Sequence, residues 1–481
     1  MNYKNVMKQI LFFLSSILLA VSSYYTAPRL NLIEMCIATI ILLYYIKTAR
    51  FTSPLKLPAM LFFYGAIFHA VAFYWLSDTL IAFGNFTPVT SIIGFVIFCI
   101  VSGVQFFLCG VLYQLFERIR FCRTALISLP LAWCITEYFY PRIFPWYLIN
   151  LHLSWSSFAT FAEYLSLPVL AGIFLWWLEV ILFGRNRIVI SAAVAVFLFC
   201  LLYGNIKNVY ILKELAVADI IKIALVQANS DSIIKRDPKV VERYKELTEE
   251  FLSLQYKSPD VIIWPESAVN FWLSTDTANI RDTIVSSIGY YDVPLLFGGM
   301  TLDIKRETGE KPDVWRYNTI IGLEEDGTVA GMYNKRVLVP IGEYLPFERI
   351  FGFLRRLSPE TGSFDTGSSG QPIPLAVTAH NRKINFGILV CYEDLMPRLA
   401  REMTRNGADI LVSFSNDIWL RSDRALAQHT FLSMWRAVEN KRYLIRATNT
   451  GWTTVINPLG EIVAELPLHQ AVAKVVEVRV R

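Results

Sequence analysis

The stretch INFGILVCYED, residues 384 to 394, runs from an apolar segment into a cysteine and two acidic residues. Residues 384–390 are mostly apolar and bounded by polar residues, which predicts a buried strand. Cys391 follows that strand directly. Open α/β sheets bind their ligands at the carboxyl ends of their strands, so this position favours a chemically active cysteine. A free cysteine packed in the core would give the same local pattern.

Composition divides the chain into an apolar first part and a second part of ordinary globular composition. The hydrophobic fraction is 54% and the charged fraction 18%, against roughly 25% in soluble domains. We therefore expect a membrane domain over residues 1–205 and an α/β domain over residues 206–481. Cys391 is the one cysteine of the second domain and has no disulfide partner there. A net charge of +5 is modest for 481 residues and argues against a nucleic-acid partner.

The first domain contains apolar runs long enough to cross the ~30 Å hydrocarbon core of a bilayer. We predict about seven such spans, near residues 9–27, 30–46, 57–76, 90–115, 124–141, 157–183 and 188–205. Pro130 and Glu137 interrupt the fifth, but proline is tolerated in membrane helices when neighbouring groups bind the freed carbonyl. The small residues at 20–22 leave open that the first span is a cleaved signal peptide.

Basic residues between the spans predict the orientation, because cytoplasmic connections are rich in Lys and Arg. With the N-terminus inside, the outside connections hold only Arg29 and Arg142. The inside segments hold Lys4, Lys8, Lys47, Arg50, Lys56, Arg118, Arg120, Arg123, Arg185 and Arg187. An odd number of spans then places residues 206–481 outside the cytoplasm.

The second domain alternates strand and helix patterns, which predicts a layered α/β fold. Strands are predicted at 222–227, 261–264, 293–298, 384–390, 410–414, 443–447 and 453–456. Helices are predicted at 238–256, 277–289, 397–406 and 423–440. Three strand ends deliver reactive side chains, namely Glu266, Lys335 and Cys391. A thiol nucleophile needs a base and a nearby cation, and an oxyanion needs fixed donors, so the three form a complete set for acyl transfer.

Five motifs carry a resemblance to a known family. WPES (264–267), YNK (333–335) and VCYED (390–394), in this order, resemble the carbon–nitrogen hydrolase or nitrilase superfamily. With the apolar runs, VPIGEYLPF (339–347) and RATNTG (446–451), the chain resembles the apolipoprotein N-acyltransferase family. This resemblance implies a multi-pass helical membrane domain followed by a nitrilase-like αββα sandwich. It also implies a bacterial inner-membrane location with the catalytic domain on the periplasmic side.

The same resemblance implies a function and a role for each site residue. An acyl chain would pass from a membrane phospholipid, through a cysteine thioester, to the N-terminal amine of a diacylglyceryl-cysteine apolipoprotein. Cys391 would be the nucleophile, Glu266 the general base and Lys335 the cation beside the tetrahedral intermediate. The supporting residues would be Glu343, Tyr392 and Glu393, with the backbone N–H of Tyr392 as an oxyanion donor.

Two other functions remain open. One is a membrane-tethered amidase or nitrilase that releases its acyl group to water, and the other is a non-catalytic relative that binds lipid or lipoprotein. Taken singly, Glu266 could cap a helix, and Lys335 and Glu343 could be a surface pair. The family usually has an eighth membrane helix after its last strand, whereas this chain ends at Arg481.

The remaining sequence features limit cofactors and suggest a lid. No CxxC or HExxH motif predicts a metal site, and neither GxGxxG nor a P-loop predicts a nucleotide cofactor. His380 is predicted to lie in an exposed turn and His429 to pack on a helix, so neither is expected to activate the cysteine. Residues 347–357 form an amphipathic pattern that fits either a core helix or a membrane-facing lid.

Overall fold

A computed structural model describes most of the chain. It does not describe residues 1–2, 25–27, 50, 52, 85, 151–154, 231–236, 238, 255–258, 275–279, 306–312, 341, 345–363, 378–381 and 481. The predicted lid at 347–357 and His380 therefore lie outside the described residues. By contacts, the chain divides into one unit of Met1–Val209 with Arg421–Trp435 and another of Tyr210–Leu420 with Arg436–Arg481.

The N-terminal part is helical. Its helices are α1 (Tyr3–Ser22), α2 (Pro28–Thr48), α3 (Lys56–Ala72), α4 (Leu76–Gly84), α5 (Pro88–Glu117), α6 (Arg120–Thr124), α7 (Ser128–Phe139), α8 (Ser156–Ala159), α9 (Leu167–Phe183) and α10 (Arg187–Ala216). A 3₁₀ helix, Thr160–Glu163, separates α8 from α9. Local sequence sets where these helices begin. In α5, for example, the Thr87 hydroxyl accepts a hydrogen bond from the Thr90 N–H, and Pro88 occupies the first helical position.

Several of these helices match the dimensions of a bilayer. Among the described residues, three helical segments are long and apolar enough to cross a membrane: Leu30–Thr48, Pro88–Glu117 and Arg187–Ala216. The pair Lys56–Ala72 and Leu76–Ala82, bent by 57°, meets the same criterion when taken together. Val6–Ser22 and Leu167–Phe183 are shorter apolar helices. The total number of crossings, and the side on which residues 206–481 lie, stay predictions.

The helix boundaries correct two of the predicted spans. Instead of one helix over 124–141, the structure has the 12-residue α7, about 18 Å long at 1.5 Å per residue. Instead of one helix over 157–183, it has α8, a 3₁₀ turn and α9. The cause in both cases is proline, which removes a hydrogen bond in a helix interior but fits the first turn. Pro130 and Pro168 both lie in the first turns of their helices.

The second unit contains two β-sheets. The strands of the first sheet are β1 (Asp219–Gln227), β2 (Val261–Ile263), β3 (Val269–Ser274), β4 (Leu295–Lys305), β5 (Asp313–Leu323), β6 (Val329–Asn334) and β13 (Val472–Val480). Their order is β13-β1-β2-β4-β5-β6, and β3 pairs with β4. The second sheet has the order β12-β11-β10-β9-β8-β7. Its strands are β7 (Ile373–Val377), β8 (Arg382–Val390), β9 (Ile410–Ser415), β10 (Leu444–Thr448), β11 (Thr454–Ile456) and β12 (Ile462–Glu465).

Helices cover the sheets, and the parallel strands point their carboxyl ends the same way. α11 (Lys239–Leu254) and α12 (Ile280–Ile288) pack on the first sheet, and α13 (Pro397–Arg405) packs on the second. A further helix, α14, spans Asp423–Asn440. In the first sheet β1, β2 and β4 are parallel, and in the second β8, β9 and β10 are parallel. This layered arrangement agrees with the αββα sandwich expected from the sequence.

A buried ion pair in the helical unit generates a stability prediction. Lys47 Nζ lies 3.1 Å from Glu179 Oε2, and the Glu179 side chain is fully buried. Lys47→Met would leave that carboxylate without its cation, so we expect a loss of about 3–5 kcal/mol in the free energy of unfolding. The double variant Lys47→Met/Glu179→Leu should regain most of the lost free energy of unfolding, because it leaves no unpaired charge buried at this position.

The matched control is Lys207→Met. Its partner Glu163 lies 3.5 Å away, and both side chains are about a quarter exposed, so the loss should be at most ~1 kcal/mol. Thermal unfolding of the detergent-solubilised protein measures all three variants. Equal melting temperatures for wild type and Lys47→Met would show that the buried pair does not stabilise the unit.

Candidate active site

Glu266 is held in a turn that follows β2. The chain passes through Ser267 with a φ of +58°, a left-handed conformation that is uncommon for residues other than glycine. Glu266 is 1% exposed, and both of its carboxylate oxygens are hydrogen-bonded. Oε1 accepts a hydrogen bond from Asn318 Nδ2 at 2.7 Å, and Oε2 accepts one from the backbone N–H of Asn416 at 2.9 Å. Because Asn318 lies on β5 and Asn416 follows β9, this carboxylate links the two sheets.

Lys335 lies at the end of β6, where two carboxylates meet its ammonium group. Its Nζ lies 2.8 Å from Glu343 Oε1 and 3.7 Å from Glu266 Oε1, and the residue is 1% exposed. Glu343 is itself fixed, since its Oε2 accepts a hydrogen bond from the Val339 N–H at 2.8 Å. The family resemblance implied a supporting role for Glu343, and in the structure Glu343 directly contacts Lys335.

Cys391 lies at the carboxyl end of β8 in a strained conformation. Its φ is +52°, although it is not a glycine, and its thiol is buried. A left-handed conformation costs of order 1–3 kcal/mol and is most often kept at functional sites. Burial raises the pKa of this thiol well above its ordinary value, and the Glu266 charge raises it further. The Lys335 charge opposes both effects by stabilising the thiolate.

The charges of the other two residues are also set by burial and by each other. Burial raises the pKa of Glu266, and Glu343 raises it further, while Lys335 opposes this shift. Burial alone would lower the pKa of Lys335, but attraction to Glu343 and Glu266 outweighs burial and raises it. These shifts favour a charged ammonium on Lys335 and a protonated thiol on Cys391, and they make Glu266 take up a proton more readily than an exposed carboxylate does.

Glu393 connects the Cys391 strand to the Lys335 strand. Its Oε1 accepts the N–H groups of Arg336 and Val337 at 2.6 and 2.9 Å. Its Oε2 accepts the Val390 N–H and the Tyr333 hydroxyl, each at 2.9 Å. A fully buried carboxylate with four donors holds the ends of β8 and β6 together. Its observed contacts are thus structural, and they fix the residues next to Cys391 and Lys335.

A second buried network fixes the ends of β8 and β9 in the second sheet. The Arg446 guanidinium on β10 pairs with Asp394 and, at 3.2 Å, with Asp417. Asp394 also accepts the Ser413 hydroxyl at 2.7 Å. Asp417 comes directly after Asn416, whose N–H binds Glu266. The network therefore ties the turn after Cys391 to the turn that holds the Glu266 carboxylate.

Six residues were singled out from the sequence, and the structure places five of them together: Glu266, Lys335, Glu343, Cys391 and Glu393. The sixth, Tyr392, occupies the short 3₁₀ turn that begins at Cys391. Sequence reasoning missed Asn318, Asn416 and the role of Arg446. Arg446 could have been found, because an arginine within a predicted buried strand requires an acidic partner. Asn318 gave no such signal. Among the described residues, Glu266 and Lys335 pair with each other, with the Asn318 side chain, with the Asn416 backbone and with Glu343, and none of these partners is a histidine.

Comparison with known proteins gives matches in both parts of the chain. The model of the carbon–nitrogen hydrolase family matches residues 222–478, and that of the apolipoprotein N-acyltransferase N-terminal domain matches residues 18–170. An apolipoprotein N-acyltransferase of Geobacter metallireducens is 29% identical over 89% of this chain and 82% of its own length. Those of Bdellovibrio bacteriovorus and Aquifex aeolicus are each 27% identical, over 83% and 84% of this chain and 76% and 87% of their own lengths. A carbon–nitrogen hydrolase structure from Helicobacter pylori aligns over 54% of this chain and 89% of its own, with 19% identity and a TM-score of 0.40.

The chain belongs to the carbon–nitrogen hydrolase family, whose model covers more than half of it. The match of its N-terminal part and the similarity to the relatives above over 83–89% of this chain place it, within that family, among the apolipoprotein N-acyltransferases.

A pair of adjacent glycines tests how strictly Glu266 must be placed. A Cβ on Gly298 would lie 2.6 Å from the Glu266 Cα and 2.7 Å from two further backbone atoms of the same turn. Gly298→Ala should therefore displace Glu266 and reduce the turnover rate by on the order of 100-fold, the cost of a ~1 Å misplacement of a catalytic group.

Gly299→Ala is the control, because its Cβ would meet no atom closer than 3.6 Å. Enzyme assays on both purified variants, with circular dichroism to verify folding, measure the difference. Equal turnover in the two variants would mean that this turn does not position a catalytic group.

Proposed function

We propose that the protein is an apolipoprotein N-acyltransferase that acts through an acyl-enzyme on Cys391. The observation that carries this is the buried cation of Lys335, which lies between the Glu266 and Glu343 carboxylates beside a buried thiol. The donor would be a membrane phospholipid, and the acceptor the N-terminal amine of a diacylglyceryl-cysteine lipoprotein. The family membership of the chain supports this choice of substrates.

In the first step, Cys391 attacks an ester carbonyl of the phospholipid. Glu266 accepts the thiol proton as the sulfur–carbon bond forms, and its raised pKa suits it to hold that proton. Lys335 stabilises the negative charge on sulfur and on the tetrahedral intermediate, together with backbone donors such as the Tyr392 N–H. The ester bond breaks, Glu266 returns the proton to the leaving alkoxide, and a lysophospholipid departs.

In the second step, the neutral amine of the acceptor attacks the thioester. A carbon–nitrogen bond forms and the carbon–sulfur bond breaks. Glu266 takes one proton from the amine and passes it to the Cys391 sulfur, which restores the thiol. The enzyme ends the cycle in the protonation state in which it began, and neither Glu343 nor Lys335 gains or loses a proton on the way. Glu343 is therefore a positioning residue for Lys335.

The membrane context favours transfer over hydrolysis. A lipid-open site that excludes water protects the thioester until the amine arrives. We infer a membrane domain over residues 1–205 and a catalytic domain over residues 206–481. We place the catalytic domain on the periplasmic side of a bacterial inner membrane, from the asymmetry of Lys and Arg between the spans.

The acyl-enzyme is directly testable. Incubated with phospholipid and no acceptor, the protein should gain one acyl mass on the peptide that contains Cys391, and neutral hydroxylamine should remove it. Cys391→Ala should gain none, and Cys200→Ala, which alters a buried cysteine of the helical unit, should behave as wild type. Mass spectrometry of the digested protein gives the answer, and an adduct that persists in Cys391→Ala would exclude this nucleophile.

The pH dependence should report Glu266. The base must be deprotonated, so the rate of thioester formation, a step that involves no amine, should fall as pH decreases through the pKa of Glu266, which lies above the ordinary value of 4.5. Glu266→Gln should lose on the order of 100-fold or more in rate and should lack this acidic limb. A pH–rate profile of both forms tests the assignment. An unchanged acidic limb in Glu266→Gln would assign it to another group.

A further inference from the structure

Asn318, which contacts the Glu266 carboxylate, has one buried side-chain atom without a hydrogen-bond partner in the described part of the chain. Its Nδ2 donates to Glu266 Oε1 at 2.7 Å and to Glu343 Oε1 at 3.4 Å. The side chain is buried, with the residue 5% exposed. Its Oδ1 has no hydrogen-bond partner among the described residues. A buried acceptor without a donor costs about 1–3 kcal/mol, so its presence beside the catalytic carboxylate requires an explanation.

The orientation of this amide follows from its neighbours. Ionised carboxylates only accept hydrogen bonds, so the amide nitrogen must face Glu266 and Glu343. The Oδ1 atom, which belongs to the same amide group, then faces away from both carboxylates. Other buried amides nearby are better satisfied: Asn449 Oδ1, for example, accepts the Ser230 N–H and the Tyr244 hydroxyl, each at 3.1 Å. Asn270 Oδ1 is also unpaired, but its Nδ2 donates to the backbone carbonyl of Asp237 and not to a catalytic carboxylate.

We propose that Asn318 binds the amine of the acyl acceptor: Oδ1 accepts the amine hydrogen that stays on nitrogen, while Glu266 accepts the hydrogen that leaves. This rests on the proposed function. A primary amine has one lone pair and two hydrogens. When the lone pair attacks the thioester carbon, one hydrogen passes through Glu266 to the Cys391 sulfur and the other remains on the new amide nitrogen. Asn318 and Glu266 would together orient both hydrogens.

This arrangement distinguishes primary from secondary amines. A secondary amine has a single hydrogen, which Glu266 must take, and its extra carbon would face Oδ1. Asn318 therefore favours a primary α-amine over an N-methylated one. Phospholipid attack involves no amine, so Oδ1 has no part in forming the thioester.

The experiment compares two acceptors in each variant. They are a short peptide with an N-terminal diacylglyceryl cysteine and the same peptide N-methylated on that cysteine. Asn318→Ala should reduce the ratio of the two transfer rates, primary over N-methyl, by about 10-fold, the value of one hydrogen bond to a buried group. Asn318→Asp keeps an oxygen at this position and should keep the ratio, although both rates fall because a third carboxylate joins Glu266 and Glu343.

Asn385→Ala is the matched control. This asparagine also binds a carboxylate, Asp409 Oδ2 at 3.1 Å, and it lies on β8 but near the end opposite to Cys391. It should change neither rate nor ratio. Because the ratio is measured within one variant, partial loss of folded protein does not alter it. The proposal would be overturned if Asn318→Ala kept the wild-type ratio of primary to N-methyl transfer rates. It would also be overturned if Asn318→Asp reduced that ratio as much as Asn318→Ala is expected to.

Two further readouts separate this proposal from simple packing and from the proposed function. Loss of the Asn318 hydrogen bond removes a contact that lowers the pKa of Glu266, so the acidic limb of thioester formation in Asn318→Ala should move to higher pH. A packing defect alone would lower the rate at all pH values and leave the limb in place, which would contradict the proposed role. If the wild type forms no thioester, the proposed function fails instead.

Discussion

The structure of the site depends on one buried cation. Lys335 Nζ lies 2.8 Å from Glu343 and 3.7 Å from Glu266, and all three residues are largely shielded from water. Removing an ammonium group from water is costly unless it is paired and hydrogen-bonded. The two carboxylates meet that requirement here, and they also keep Lys335 charged. The fixed positive charge of Lys335 also acts on the Cys391 thiol, whose thiolate form it stabilises against the effect of burial.

The surrounding framework is explained by the need to hold three strand ends in register. Glu266 follows β2, Lys335 follows β6 and Cys391 follows β8, so the site draws on both sheets. Glu393 joins the β8 and β6 ends through four hydrogen bonds, and Arg446 joins the turns after β8 and β9. Left-handed residues occur at Ser267, Cys391 and Asp417, which lie in the turns that follow β2, β8 and β9. The buried polar groups thus hold strained turns in place.

Much of this arrangement could be predicted from the sequence, because Glu266, Lys335 and Cys391 each follow a recognisable apolar strand. Glu343 and Glu393 lie close to these residues along the chain, and they were singled out through the family resemblance of the motifs that contain them. Asn318 could not be found in this way. Its strand, β5, mixes charged, aromatic and polar residues and gave no strand signal. Its contact with Glu266, 52 positions away in the chain, depends on how β2, β4 and β5 assemble in the sheet. The helix breaks at Pro130 and Pro168 were missed because proline was taken to lie within longer membrane helices.

Transfer of an acyl chain to the amine of lipoproteins can be measured on the lipoproteins themselves. In cells that lack another enzyme of this activity, the N-terminal peptide of a lipoprotein can be weighed by mass spectrometry. With the intact chain present, that peptide should carry one additional, amide-linked acyl group, and with Cys391→Ala it should not. Identical peptide masses in the two strains would show that Cys391 does not carry this acyl transfer.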